Sequence, residues 1–518
     1  MKMLQTIDCN HKSITNMSNM FRDDYNLTFP ICPLNVTDMS NAYRYCSNLK
    51  EAICGDKVVN MTNAYYRCDS ITDAVIGPNV IDATDAYFFC NKLINAASSD
   101  KLTDMNRTYF KCVNLKSAAC GSNVVNMILT YSNCRYLNNA VCGPNVINMV
   151  GTYANCDTLK TAVCGDNVIT MDNTYRNCNA LTTAACGPNV INMSYAYYNC
   201  RYLKNAACGS NVINMSRAYY SCNALNTAVC GSNVIDMSYA YYGCNSLNTA
   251  ICGSNVTNMR GTYQSCGNIK TAIYGPKVTD ISYAYSGCGN LTSISRSNNI
   301  IYMASAFSSC SNLTAAPFCS SNAINIASAY YYCKNLKGSP VCGPNVITMY
   351  STYESCYNLT GSPVCGPNVT NMAYAYKSCY NLTGSPVCGP NVTNMYSAYT
   401  YCENLRGSPV CGSNVTDMAY AYSGCENLTG SPVCGPNVTN MHSAYNSCYN
   451  LTGTPICGPN VINMAYAYNA CLKINIANIG PNVTNAAGAY GNCSNLITAV
   501  YSNNIQNMYA IYRNCINL

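Results

Sequence analysis

Apolar residues recur along this chain in one fixed order, with a period of about 22 residues. In the copy that begins at Leu181, the apolar positions are Leu181, Ala184, Cys186, Val190, Met193, Ala196, Tyr197 and Cys200. A period in this range is typical of a solenoid, in which no copy has a core of its own and each must stack on its neighbours. The pattern therefore predicts an elongated solenoid of about 23 coils rather than several globular domains.

The first half of each copy predicts one short parallel strand. Ala184 and Cys186 alternate as inward residues of a strand do, and Gly187 and Pro188 follow at its end. An asparagine then recurs where the chain turns, and its amide can bond to backbone groups of neighbouring coils. The asparagine ladder predicted in this way includes Asn145, Asn167, Asn189 and Asn211.

The second half of each copy predicts a short helical or 3-10 wall with one side facing inward. Stacking of the copies should then place like side chains in continuous internal ladders. The predicted ladder residues are Met193, Met215, Tyr197, Tyr219, Cys178, Cys200 and Cys222. Phe21 and Phe307 occupy the tyrosine column. These two replacements indicate that the ring packs in the core and that its hydroxyl is optional.

The period also predicts the domain organisation. Residues 1–8 form a short lead-in, and residues 9–518 form a single repeat solenoid. Its coils have about 22 residues up to about 312, about 23 from about 313 to 473, and about 22 after that. The longer coils contain Pro363, Pro386, Pro409 and Pro432, which predict a bulge or an altered sheet edge. Because the wall is short, we expect gentle curvature.

Composition narrows the classes of partner. Charged residues make up 9% of the chain, whereas about 25% is usual, so the surface should be largely neutral. The net charge of +7 is scattered without a basic run, so nucleic acid is not expected. The first residues lack the apolar core of a secretory signal, and no later stretch is long enough to span a bilayer. We expect an extracellular surface or a virion, reached without a recognisable signal peptide, or else a cytoplasmic scaffold.

The 39 cysteines fall into two columns of the repeat. The column that contains Cys46 and Cys68 is unbroken after the first copy, whereas the column that contains Cys54 is interrupted. The replacements in the interrupted column are Ile76, Ser98, Tyr274, Arg296, Ile479 and Tyr501. Disulfides between the columns should remove both partners together, so we expect reduced thiols that act as small buried hydrophobes. Zinc would need clustered ligands at CxxC-type spacing, so no metal or cofactor is predicted.

The pattern Val-x-x-Met-x-x-Ala-Tyr-x-x-Cys-x-x-Leu, found at 190–203 and 392–405, resembles the BspA-type leucine-rich repeats of bacterial, protozoan and viral surface proteins. Met17, Met20 and Phe21 of the first copy are similar to the related Mycoplasma-type repeat, Met-x-x-Met-Phe-x-x-Cys-x-x-Leu. The resemblance implies a leucine-rich-repeat solenoid that serves adhesion and binding. It implies no catalytic residues.

Tyrosines outside the core column are the candidate ligand-binding residues. Such residues offer rigid amphipathic contact area next to adaptable polar groups. The candidates are Tyr195, Tyr239, Tyr283, Tyr374, Tyr420 and Tyr466, with Tyr198, Tyr220 and Tyr242 beside the core tyrosines. The alternative is repeat drift on a solvated surface. Catalysis is not expected, because the two histidines, His11 and His442, are far apart and no constellation of acid, base and nucleophile is unique.

These features leave two main hypotheses. The first is a non-enzymatic surface adhesin or recognition fibre, viral or phage in origin, that binds a host glycan or protein through a repetitive Tyr/Asn-rich face. The second is a self-assembling filament or particle component that joins copies or a larger particle through uncapped coil ends, with Cys515 and Leu518 as end contacts. An intracellular interaction scaffold is a third possibility.

Overall fold

The computed structural model describes residues 13–500 and 502–518. The predicted lead-in at 1–8, Cys9, His11 and Tyr501 lie outside the described residues. The chain divides into two compact units, Met1–Val256 and Thr257–Leu518, called unit 1 and unit 2 below. Each is described by itself.

The predicted strand half forms short parallel strands. In unit 2, β1 (Thr271–Ala272) pairs with β2 (Ser293–Ile294), and β3 (Ile476–Asn478) pairs with β4 (Thr498–Val500). In unit 1 the same half contributes single parallel bridges, such as Thr161 to Thr183. A coil therefore adds one to three residues to this sheet, because the chain turns away at the following glycine.

A second and more regular parallel ladder runs through the residue before each core methionine. In unit 1 its bridges run from Asn16 to Asp236, and in unit 2 from Asn258 to Asn507. Each bridge is held by two backbone bonds. Ile191 N–H donates to the Ile169 carbonyl at 2.8 Å, and Met171 N–H donates to the Asn192 carbonyl at 2.8 Å. The sequence pattern did not indicate this ladder.

The wall is built from consecutive turns, and the described residues contain no helix. Alternate wall N–H groups donate to the next coil, as Tyr175 does to the Ala196 carbonyl at 2.7 Å. The N–H groups between them close four-residue turns by bonding to the carbonyl three residues back, as Cys178 does to the Tyr175 carbonyl at 3.1 Å. An α-helix would direct each N–H group to the carbonyl four residues back, and a 3-10 helix would direct each to the carbonyl three residues back. The expected helical or 3-10 wall is therefore not found, since the neighbouring coil takes half of its donors.

Two wall residues in each complete coil have a left-handed backbone. In one coil these are Asn173 at φ 55° and Asn177 at φ 60°, and the same two positions recur through both units. A right-handed helix excludes this conformation for L-residues, which is a second reason for the turns.

The inward side chains form the core. Met193, Ala196, Tyr197, Cys200 and Leu203 are all fully buried, and their equivalents in other coils are buried with few exceptions. Successive core tyrosines are stacked within each unit, with the rings of Tyr197 and Tyr219 at 5.4 Å between centroids. Aromatic pairs at this separation add to the stability that burial provides.

All but the first of the longer coils of unit 2 accommodate their extra residue with a glycine in the left-handed region. Gly361 has φ +83° and Gly384 has φ +88°, each two residues before a proline. A Cβ on Gly361 would lie 2.3 Å from Ser339 Oγ of the preceding coil. Glycine is required here by both conformation and space. Bridges along the second ladder are accordingly 23 residues apart from Tyr302 to Asn463.

Candidate functional site

The hydroxyl of each core tyrosine holds the strand half of its own coil. In unit 1, Tyr153 Oη accepts from Val141 N–H at 2.9 Å and donates to the Val141 carbonyl at 2.5 Å. The same pair of bonds connects Tyr376 and Val364 in unit 2. The expectation that the hydroxyl is optional is therefore wrong, because it saturates two backbone groups that the short sheet leaves unpaired.

The Phe307 coil shows how a missing hydroxyl is replaced. The residue twelve positions earlier is Ser295, which Phe307 cannot bond. Tyr274, which replaces a cysteine of the interrupted column, donates its hydroxyl to the Ser295 carbonyl. Ser295 N–H donates to the Ala272 carbonyl at 3.0 Å. A second tyrosine thus takes over the role of the absent one.

The unbroken cysteine column is a ladder of thiol donors. Cys178 Sγ lies 3.0 Å from the Tyr153 carbonyl, Cys200 Sγ lies 3.0 Å from the Tyr175 carbonyl, and Cys222 Sγ lies 3.1 Å from the Tyr197 carbonyl. Burial raises the pKa of Cys178 to about 12. These thiols stay protonated at neutral pH and bind one coil to the preceding one. All cysteines within the described residues are free thiols.

The predicted asparagines lie on an exposed turn. Asn145, Asn167, Asn189 and Asn211 each donate from Nδ2 to a backbone carbonyl of the preceding coil, at 2.9–3.0 Å. Their role in the structure is to connect coils through side chains where no backbone ladder continues.

In unit 1 the candidate tyrosines lie together on the wall surface. The rings of Tyr198 and Tyr220 are stacked at 4.7 Å between centroids, and those of Tyr220 and Tyr242 at 4.3 Å. The Arg217 guanidinium lies 5.3 Å from the ring centroid of Tyr195 and 4.9 Å from that of Tyr239. We call these five tyrosines and Arg217 the tyrosine–arginine patch.

Unit 2 carries an edge-to-face row of rings. Its members, in coil order, are Tyr350, Tyr374, Tyr396, Tyr420, His442 and Tyr466. Neighbouring centroids are 5.1–6.1 Å apart, and burial lowers the pKa of His442. Tyr283 lies apart from this row, under the Arg260 guanidinium at 5.1 Å.

Contacts among these rings also shift their ionisation. Partial burial, together with the neighbouring Tyr242, raises the pKa of Tyr220 to about 12. Partial burial and Tyr396 raise the pKa of Tyr374 to about 12. The hydroxyls of Tyr220 and Tyr374 are therefore neutral donors and acceptors at physiological pH.

A third aromatic surface was not among the sequence candidates. Tyr66, Phe88 and Phe110 are stacked at 4.6 and 4.9 Å between centroids. The Arg44 guanidinium lies 4.6 Å from the Tyr66 centroid. The sequence carries the signal, because these residues occupy the column of Tyr198, with phenylalanine in two of the three coils.

Other predicted contacts have ordinary structural roles. Cys515 Sγ donates to the Tyr490 carbonyl at 3.0 Å, as elsewhere in the thiol ladder, and the Leu518 side chain is exposed. Self-assembly through these residues stays a prediction. Within residues 13–500 and 502–518, no group of three or more His, Cys, Asp or Glu side chains could hold a metal ion. No helix in this part of the chain could cross a membrane.

Comparison with known families gives one extended match. The model of the BspA type leucine-rich repeat region matches residues 12–138, 129–226 and 216–337, which together are more than half of the chain. No curated protein matches the chain.

Several solved structures resemble the chain at low identity. A leucine-rich repeat protein from Bacteroides ovatus is 17% identical, over 63% of this chain and 82% of its own, at a TM-score of 0.48. A leucine-rich cell surface protein from Faecalibacterium prausnitzii is 16% identical, over 69% of this chain and 82% of its own, at 0.30. The functional domain of InlJ from Listeria monocytogenes, which includes a cysteine ladder, is 11% identical, over 79% and 75%, at 0.19.

Proposed function

The chain belongs to the BspA-type leucine-rich repeat family, and from this premise we propose that it is a non-enzymatic recognition protein whose wall tyrosines contact a partner. Proteins of this repeat class recognise other molecules through repetitive surfaces on a rigid scaffold. The proposal places the contact surface at the tyrosine–arginine patch of unit 1 and locates the protein at a cell or particle surface.

The main support for the proposal is the left-handed backbone conformation of the candidate tyrosines. Tyr195 and Tyr239 both have φ 54°, and Tyr283, Tyr374, Tyr420 and Tyr466 have φ of 57–60°. A left-handed backbone costs an ordinary L-residue about 1–2 kcal/mol, and asparagine or glycine tolerates it better. Other coils place Asn63, Asn173 or Gly151 at this position, and also Leu129 or Ser305, so the fold requires the left-handed backbone here but not a tyrosine. A strained residue that the fold does not need is a reason to infer function.

The patch favours a protein partner over a sugar. The faces of Tyr198, Tyr220 and Tyr242 are stacked on one another, so little ring face is available to a sugar. Ring edges, hydroxyls and the Arg217 guanidinium are the groups available for contact. Tyrosine and arginine, with tryptophan, are enriched among the residues that contribute most to binding energy in protein interfaces.

The test is a double variant, Tyr195→Asn with Tyr239→Asn, that copies the asparagine of other coils. Binding of the purified chain to intact cells or particles should weaken on the order of tenfold or more, since two interface anchors are lost. The free energy of unfolding should stay equal or rise, because asparagine relieves the left-handed strain. Binding is measured by flow cytometry, and stability by denaturant titration.

The matched control is Tyr202→Asn, a tyrosine that is 65% exposed and lies outside the patch. This variant should bind as the parent does. Protease treatment of the cells should abolish binding, whereas glycosidase treatment should spare it. Unchanged binding by the double variant would exclude the patch, and loss after glycosidase treatment alone would point to a glycan.

A further inference from the structure

The interrupted cysteine column meets the methionine column inside unit 1. Cys142 Sγ lies 3.7 Å from Met149 Sδ, and Cys164 Sγ lies 3.5 Å from Met171 Sδ. Cys120 and Met127 form a third pair at 3.8 Å in the coil before. Further pairs of this kind are Cys32 with Met39, Cys54 with Met61, and Cys230 with Met237.

Each pair has a fixed geometry. The cysteines of these pairs are half-buried, whereas the methionines are fully buried. The glycine of the following coil approaches each cysteine sulfur closely. A Cβ on Gly165 would lie 3.0 Å from Cys142 Sγ, and one on Gly187 would lie 3.2 Å from Cys164 Sγ. The sulfur is therefore confined between its own methionine and the next coil.

We propose that these cysteine–methionine pairs are binding sites for a soft monovalent metal ion, Cu(I) or Ag(I). Thiolate and thioether are the ligands that select Cu(I) over harder ions. One ion can bind two sulfurs that lie within about 4.6 Å of each other, twice a metal–sulfur bond of about 2.3 Å. The observed separations of 3.5–3.8 Å meet this condition with a bent sulfur–metal–sulfur angle. On binding, the thiol S–H bond breaks, a Cys Sγ–metal bond forms, and one proton per ion goes to solvent.

Spacing rules for metal sites miss these pairs, because the ligands are seven residues apart and one of them is methionine. One coil of unit 1 contains a natural contrast. There Ser98 occupies the cysteine position, and its Oγ lies 3.9 Å from Met105 Sδ. A hydroxyl is a hard ligand, so this coil should bind no soft ion, although its fold is intact.

The experiment uses the full, reduced chain under anaerobic conditions with an excess of a chromophoric Cu(I) chelator. The excess chelator competes for copper, so thiols without a methionine partner stay free of metal. Copper transfer is measured as loss of the chelator complex, and proton release is measured in weak buffer. The test variant carries Met127→Leu, Met149→Leu and Met171→Leu. It should bind about three fewer ions than the parent, because three pairs lose their thioether.

The matched control carries Met105→Leu and Met303→Leu. Both methionines are equally buried, but Ser98 and Arg296 stand where the proposed sites have a cysteine. The control should bind as many ions as the parent. Equal stoichiometry in all three proteins, equal losses in both variants, or no transfer to the parent would each overturn the proposal.

A second variant guards against misfolding of the triple variant. Cys142→Ser introduces the residue that the chain already carries at Ser98, so the coil should fold. It should bind one ion fewer than the parent and release one proton fewer. Unchanged copper binding by a folded Cys142→Ser chain would also overturn the proposal.

Discussion

At the scale of single residues, tyrosine and cysteine act as hydrogen-bond donors inside an apolar core. The Tyr376 hydroxyl bonds both backbone groups of Val364, at 3.1 and 2.6 Å. The equivalent partner of Tyr468 would be Ile456, but Ile456 N–H donates to the Pro432 carbonyl at 3.1 Å. The Tyr468 hydroxyl is buried without a partner among the described residues. Two residues of one column therefore differ in what their hydroxyls contribute.

Removal of these two hydroxyls should have different effects on stability. Tyr376→Phe leaves the Val364 N–H and carbonyl unsatisfied and should lower the free energy of unfolding by about 1–3 kcal/mol. Tyr468→Phe removes only an unbonded polar atom and should leave stability unchanged or raise it. Urea denaturation followed by circular dichroism measures both values. Equal destabilisation by the two variants would contradict the role assigned to the hydroxyl.

The inward residues were predictable and their hydrogen bonds were not. Met193 and Tyr197 recur in register, so their burial follows from the period alone. The tyrosine hydroxyl was misjudged, because Phe307 suggested that it is dispensable, and the compensating Tyr274 lies in another column and another coil. The left-handed tyrosines had no sequence signal, since tyrosine rarely adopts that conformation. The Cys–Met pairs depend on side-chain direction, which the period does not specify.

At the scale of elements, the longer coils of unit 2 depend on one backbone conformation. Gly361, at φ +83°, makes room for Ser339 of the preceding coil, whose Cβ would lie 3.0 Å from a Cβ on Gly361. The extra residue is absorbed there, so the wall and the second ladder keep the same bonding in coils of both lengths. The extra residue that led to the prediction of a bulge or altered edge near Pro363 is accommodated at the left-handed glycine two residues earlier.

Substitution of this glycine should be costly. Gly361→Ala combines a left-handed backbone with a clash and should destabilise unit 2 by about 2 kcal/mol or more. Gly267→Ala is the control, because no atom lies within 4 Å of its added Cβ and its φ is not positive. The control should be neutral or slightly stabilising. The two variants are compared by the midpoints of their urea unfolding curves. A similar loss of stability in both would show that the left-handed conformation of Gly361 does not determine the effect.

At the scale of the whole molecule, the thiol ladders tie stability to pH. Burial raises the pKa of Cys46, Cys178 and Cys333 from 9.0 to about 12, and it raises the pKa of core tyrosines such as Tyr197 well above 10.0. The folded state therefore holds these protons more tightly than the unfolded state. Their contribution is complete below pH 9 and is lost as the pH rises through 12.

We therefore expect a cooperative alkaline transition. The folded signal should be constant from neutral pH to about 9 and should fall between about 9 and 12, since the thiolates and phenolates that form are unfavourable in the core. Circular dichroism and tyrosinate absorbance recorded on the same samples should change together. Tyrosine ionisation that reaches completion near pH 10, while the fold persists, would contradict the assignment.

The bonding between coils has a consequence for how this protein changes over generations. Donors and acceptors of adjacent coils meet at fixed offsets, as in the wall bond from Tyr175 to Ala196. Duplication or deletion of one whole coil inside a run of coils of equal length would leave each hydrogen-bond donor opposite its acceptor. Gain or loss of part of a coil would leave all the donors and acceptors at that junction without partners. Recombination can thus lengthen or shorten the protein in whole coils and change how many surface tyrosines it displays, without a new fold.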